Sequence, residues 1–313
     1  MTGTWEKGTA SGVSIWQFSA HLSDGNRIPG PVKPPTYDIS GRWQMFFTRK
    51  DGSIRKSVGL FSQTAGRVTG TILNPSGDYR FLEGAVRGDS LYLTTFDGSH
   101  SFALVAMIPN DTTLTEGLFF TGTPPGEKFR AIKTPDAQLD LSQPLTRALQ
   151  PTPFNFTFPN LDSNLISLTD ERFKGKVVLV QLMGSWCSNC MDETRFLSKI
   201  YNERQLPDVE MVALAYELSP NFSRSANSLR KFQQKYGVLY PMLITGVTSS
   251  DPQKGPKTIP ALGEVRYFPT LLFVDKKGML RFIHEGFYGP GAPDQFEAFQ
   301  REFDDILRAL RNE

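Results

Sequence analysis

Cysteine is nearly absent, with two residues in a chain of 313. So low a count excludes a disulfide-stapled scaffold but leaves room for a single working pair. Histidine is as scarce: His21, His100 and His284 are the only three, and no two stand at ligand spacing. Excess charge is also missing. Lys and Arg total 34 against 32 Asp and Glu, a net charge of +2, so nothing favours nucleic acid or an anionic membrane as partner. No apolar run approaches the ~20 residues that span a bilayer, so no transmembrane segment is expected. The opening MTGTWEKGTA has no basic start followed by an apolar stretch, so no signal peptide is visible. That fits either a cytosolic chain or a mature one that has lost its leader. No repeat of solenoid length occurs. The rest is ordinary: 39% hydrophobic and 21% charged residues support packed cores, and the length allows two domains.

The first half reads as β. Apolar and polar residues alternate through GRWQMFFTRKDGSIRKSVGLF, predicting strands near Trp43 to Arg49 and Ser57 to Phe61 around an Asp51-Gly52 turn. Further turns fall at Arg87-Gly88-Asp89 and Asp97-Gly98-Ser99, and one more strand is expected within residues 11–22, before a Pro- and Gly-rich loop at 24–38. Short strands at this spacing predict an antiparallel β barrel or sandwich over residues 1–122. Its aromatics Trp16, Trp43, Phe46, Phe47 and Tyr92 are expected in the core, and His100 in a turn. Frequent proline over 123–152 reads as a linker with a helical turn near Leu145 to Leu149. Residues 153–313 alternate strand and helix, with nearly continuous apolar runs at 176–183 and 209–216, and predict an α/β layer with helices on both faces. The last helix carries Phe296, Phe299, Phe303, Ile306, Leu307 and Leu310 on one side.

Both cysteines lie in GSWCSNCMDE, residues 184–193. Cys187 sits where the run at 176–183 gives way to a helix. Free N–H groups and the helix dipole stabilise a thiolate there and lower the thiol pKa from its usual ~8.5. Cys190 is one turn on, close enough to close a disulfide, so one thiol can attack and the other resolve. Two blander readings stand beside this one: half of a structural zinc site, with ligands drawn from the histidines or carboxylates, and an inert buried pair.

VVLVQLMGSWCSNCMDE resembles the active-site segment of thioredoxin-fold proteins, and RYFPTLLFVDKKGMLRFIHEG resembles their cis-proline loop and following hairpin. The resemblance covers roughly residues 153–313 and implies a thioredoxin-like fold. It makes Cys187 the attacking thiol, Cys190 the resolving one and Pro269 the cis-proline packed against them. Trp186, Ser188, Asn189, Phe268 and Thr270 then shape the site and bind substrate backbone. Thioredoxin carries a buried Asp six residues before its first cysteine, where this chain has Gln181. Glu193, three residues after Cys190, is instead typical of TlpA/ResA-like thiol-disulfide oxidoreductases outside the cytoplasm, and the resemblance implies that it shuttles the proton of Cys190.

That family implies a reductant of protein clients, supplied by an upstream thiol donor, in a periplasmic or other extracytoplasmic setting, with no cofactor beyond the redox-active disulfide. FQQKYGVLYPMLITG also resembles the broader redoxin and alkyl hydroperoxide reductase grouping, which keeps a thiol peroxidase as the alternative. The peroxidatic Pro-x-x-x-Thr-x-x-Cys pattern is not met, since position 184 is Gly. A third possibility is a binding protein on a thioredoxin scaffold. The N-terminal β domain is expected to serve partner binding or dimerisation.

Overall fold

A computed structural model describes residues 1–9, 12–20, 27–28, 35–96, 100–122, 125–139 and 145–313. His21, the Asp97-Gly98-Ser99 turn and most of the 24–38 loop lie outside the described residues. Two compact units form. One comprises Met1–Trp5, Trp16–Ser142 and Tyr288–Asp294, the other Glu6–Ile15, Gln143–Phe287 and Gln295–Glu313.

The chain opens with paired strands β1 (Thr2–Thr9) and β2 (Gly12–Ser19). Period-two alternation then builds β3 (Gly41–Thr48), β4 (Ile54–Thr64), β5 (Arg67–Asn74), β6 (Gly77–Asp78), β7 (Leu82–Arg87), β8 (Ser90–Phe96), β9 (Ser101–Asn110), β10 (Thr113–Phe120) and β11 (Glu127–Lys133). Ladders run from β3 to β4, β5, β7, β8, β9, β10 and β11 in turn, and β11 pairs back onto β3, so eight strands close an antiparallel barrel. β6 adds only a short pairing onto β5.

Eight strands leave an interior that side chains can fill. Trp43, Met45, Phe47, Ile72, Leu91, Leu104, Phe119 and Ala131 do so here. The Trp43 indole N–H donates to Ile39 O at 2.7 Å, which satisfies the one polar atom it brings inside. The pleat turns Phe46 and Tyr92 outward to half-buried positions, and Arg130 lies over the Phe46 ring at 4.3 Å. Trp16 is likewise half-buried, on β2. These three aromatics are therefore not barrel core. His100 stacks on Phe102.

The stretch 123–152 is not a bare linker. EKFRAIK alternates inward Phe129 and Ala131 with outward Lys128, Arg130 and Ile132, and this strand, β11, is the one that closes the barrel. Flanking prolines masked the pattern. Residues 146–153 are extended too, not helical, and form β12 (Thr146–Pro153). Proline is tolerated there because β12 is an edge strand whose ladder is interrupted between Ala148 and Thr152.

The second unit continues with a small hairpin, β13 (Thr157–Pro159) and β14 (Leu165–Ser167), then β15 (Val177–Met183), α1 (Ser188–Arg204), β16 (Val209–Ala215), α2 (Phe222–Tyr236), β17 (Met242–Ile244), α3 (Lys254–Thr258), β18 (Thr270–Val274), β19 (Met279–Glu285) and α4 (Pro293–Asn312). Its sheet order is β12-β19-β18-β15-β16-β17, with β15, β16 and β17 parallel. β15 and β16 are buried along their whole length, as continuous apolar runs require.

The long helices all pack on one face. Leu197, Leu229, Phe299 and Phe303 meet Leu179, Ala213 and Phe273 there. The other face is covered by Phe154, Phe156, Phe173 and Ile259, so only the short α3 and the turn after it represent helix on that side. Gly237 ends α2 in the left-handed region that its lack of a Cβ permits.

Candidate active site

Everything at the site hangs on the C-terminal end of β15, a central strand held between β18 and β16. Beyond Met183 the chain turns through Gly184, Ser185 and Trp186. A Cβ at Gly184 would meet the Trp186 Nε1 at 2.2 Å, so only glycine leaves room for the indole. That indole donates to Tyr216 O at 2.9 Å and meets the Phe268 ring edge-on.

Cys187 is the N-cap of α1, in an extended conformation. The Cys190 N–H donates to its sulfur at 3.3 Å, and the first turn of the helix holds no acidic residue. An N–H and a positive helix end aimed at this sulfur favour its thiolate once the pair is reduced. The two sulfurs are joined as a disulfide, with Cα atoms 5.2 Å apart. Exposure is unequal: 7% of Cys187 is accessible and none of Cys190.

The Phe268-Pro269 peptide is cis, and Phe268 O lies 3.6 Å from the Cys187 sulfur. Pro269 is buried and its carbonyl accepts from Gly286 N at 2.8 Å, fixing the loop to the end of β19. Ser188 and Asn189 are half-buried in the first turn of α1. Thus Trp186, Cys187, Ser188, Asn189, Cys190, Phe268 and Pro269 gather at one place. Thr270 turns inward instead: its hydroxyl donates to Tyr267 O at 2.8 Å and its side chain is buried.

Glu193 is wholly buried, one turn along α1 from Cys190. Burial pushes its pKa up to about 8, against the pull of one hydrogen bond from Gln181. Gln181 Nε2 donates to Glu193 Oε2 at 2.8 Å, while Glu193 Oε1 has no hydrogen-bond partner among the described residues. The site's second carboxyl was not foreseen from sequence. Glu217, just past β16, is also buried, and it accepts from Ser185 N at 2.8 Å and Ser185 Oγ at 2.7 Å. Its pKa is raised by burial and restrained by those two bonds. The pairing of Met183 with Ala215 sets residues 216–217 beside 184–185, a register that the sequence does not print.

Ser185→Ala leaves one Glu217 oxygen without its donor inside the protein. A loss of about 1–3 kcal/mol is expected in urea unfolding of the oxidised chain. Ser185→Thr, which keeps the hydroxyl, is the matched control.

A second clamp acts behind the cis-proline loop. Glu285, 3% exposed, is paired by Arg147 at 3.0 Å and by Arg266. His284 on the same strand is buried and pushed down to about 4 by desolvation. Among the described residues, no group of three or more His, Cys, Asp or Glu is placed to hold a metal ion, and no helix is long and apolar enough to cross a membrane.

Comparison with known proteins places this geometry in context. Residues 147–295 match the Redoxin family. Thiol-disulfide oxidoreductase ResA of Bacillus anthracis is 27% identical over 148 residues, covering 47% of this chain and 74% of that protein. Thioredoxin-like protein YneN of Bacillus subtilis (strain 168) is 29% identical over 132 residues, covering 42% and 68%. Among solved structures, a thiol:disulfide interchange protein of the thioredoxin family from Chlorobium tepidum TLS aligns with 52% of this chain and 99% of its own, at 18% identity and a TM-score of 0.38.

Proposed function

We infer, from a chain whose residues 147–295 match the Redoxin family and resemble TlpA/ResA-like thioredoxin-fold proteins, that it is a thiol-disulfide oxidoreductase acting on protein clients through Cys187 and Cys190. The observation that carries the reading is the asymmetry of the pair. Cys187 caps a helix and keeps 7% of its surface accessible beside a cis-proline loop, while Cys190 is wholly buried.

In the reducing direction the Cys187 thiolate attacks a client disulfide. A bond forms between Cys187 and one client sulfur, and the other client sulfur leaves as a thiolate. Glu193 takes the proton of Cys190, whose sulfur then attacks Cys187. The internal disulfide closes and the client leaves with two electrons more. An upstream dithiol returns the pair to its reduced form, and no further cofactor enters the cycle. The half-buried Trp186 and Phe268 line the surface where client backbone docks, with the buried Pro269 shaping the loop and Ser188 and Asn189 between the cysteines.

The reading extends to an extracytoplasmic setting, supported by the TlpA/ResA-like character of the site, and gives the barrel the part of selecting a partner. The test is the reduction potential of the pair, by equilibration in thiol buffers followed by alkylation and mass readout. A value near roughly −270 mV is expected, as for a reductase with an upstream donor. One near roughly −120 mV reverses the proposed electron flow. Failure to form the internal disulfide in solution removes the reading altogether.

A further inference from the structure

Gln181 occupies the place where thioredoxin keeps a buried acid, and its hydrogen bonds have a direction. Its Oε1 accepts from Thr194 Oγ1 at 3.1 Å and, at the longer distance of 3.5 Å, from the Tyr240 hydroxyl. Both hydroxyls donate to the carbonyl end of the amide, and the NH2 end faces Glu193 and donates to Oε2. The carbonyl-type oxygen of a neutral carboxyl is the better acceptor for an amide N–H, so this bond favours the acid proton on the other oxygen. The proton of the neutral acid therefore belongs on Oε1, the oxygen that has no other partner among the described residues.

We propose that Gln181, held in orientation by Thr194 and Tyr240, is a positioning residue that confines the Glu193 proton to Oε1, the oxygen left free to exchange it with the Cys190 sulfur. The inference rests on the reading of Glu193 as the proton relay and deepens it. When a donor thiolate attacks Cys187 in the disulfide, the Cys187–Cys190 bond breaks and Cys190 leaves with its electron pair. The proton on Oε1 goes to that sulfur, giving the thiol and a carboxylate, and the Gln181 N–H already in place steadies the charge on Oε2. The carboxylate regains its proton from solvent. In the resolving direction the transfer runs backwards.

The titratable groups facing Glu193 are few. On its own helix Cys190 is held in the disulfide and does not titrate, and from the loop before β17 there is the Tyr240 phenol, which burial raises well above its usual range. β15 contributes only the uncharged Gln181. Asp192 is paired with Arg195 at 3.3 Å, and Glu210 of β16 is held by Arg172 and Tyr201. Among the described residues no charged group is paired with Glu193, which makes the Gln181 amide the main polar influence on it.

The sign of one titration shift tests this. The Glu193 carboxyl is followed by 13C NMR in the oxidised full-length chain, with Glu193→Gln assigning its signal. A donated N–H favours the carboxylate, so Gln181→Met, which lacks it, is expected to move the midpoint upward by about one pH unit. Thr194→Val, which frees the amide to turn over and accept from the acid, should also move it upward, whereas Thr194→Ser keeps the wild-type midpoint. A midpoint that falls or stays fixed in both Gln181→Met and Thr194→Val overturns the assignment, because the opposite amide orientation stabilises the neutral acid. The relay itself is judged separately, by the pH profile of disulfide reduction with a small dithiol. If Glu193→Gln leaves that profile unchanged, the relay reading fails whatever Gln181 does.

Discussion

Cys187→Ser abolishes reduction of a disulfide client, with turnover falling by about four orders of magnitude or more, as when a nucleophile is removed. Cys190→Ser gives a different result. The accessible thiolate still attacks, but the mixed disulfide has no internal thiol to resolve it, so client and protein accumulate as one covalent species on non-reducing gels. The unequal burial of the two residues sets which variant is expected to trap: Cys187, 7% exposed, can meet a client sulfur, and the wholly buried Cys190 cannot. A trap formed by Cys187→Ser instead would reverse the assignment. Rapid peroxide consumption that survives Cys190→Ser but not Cys187→Ser would turn the reading towards the thiol peroxidase alternative.

The second large effect is a loss of stability as pH rises. Glu193 holds its proton in the folded protein up to about 8, against 4.5 when free. Below 4.5 the acid is protonated in both states and adds no pH dependence. Between 4.5 and about 8 the unfolded chain releases the proton and the folded chain keeps it. Stability therefore falls with rising pH across that window and levels off above it. One proton corresponds to about 1.4 kcal/mol per pH unit, or about 3 kcal/mol between pH 5 and pH 7. His284, lowered from 6.5 to about 4, acts in the opposite sense over its own window. The contribution of Glu193 is therefore read as the difference between wild type and Glu193→Gln, in urea unfolding of the oxidised chain at both pH values. A difference that does not change with pH would show that the carboxyl is ionised in the folded protein.

The parts of this site that were legible in sequence are those written in consecutive residues. An apolar run, a turn, Trp186, two cysteines three apart and a helical pattern identified β15 and α1. The Phe268-Pro269-Thr270 stretch identified the loop that meets them. The last helix was legible for the same reason, with Phe299, Phe303, Ile306, Leu307 and Leu310 buried on one side. What stayed hidden depends on strand register or on context. Glu217 reaches Ser185 only because β16 pairs in parallel beside β15. Gln181 reads as the loss of an acid until its bond to Glu193 across the strand–helix interface is seen. Proline misled twice, screening β11 and β12 as linker, because a sequence does not say which strand is an edge. In the barrel, alternation located the strands, but the face each aromatic takes followed from register, which put Phe47 inside and Phe46 out.

Closure through β11 limits how the barrel wall can hold anything. A sheet with a first and a last strand offers an open row of backbone N–H and C=O groups, to which an extended peptide can add as a further strand. Eight strands joined end to end offer no such row. A partner taken up by the barrel wall must be gripped by side chains and by the turns at its rims, and its recognition is then written in the outward residues of each strand.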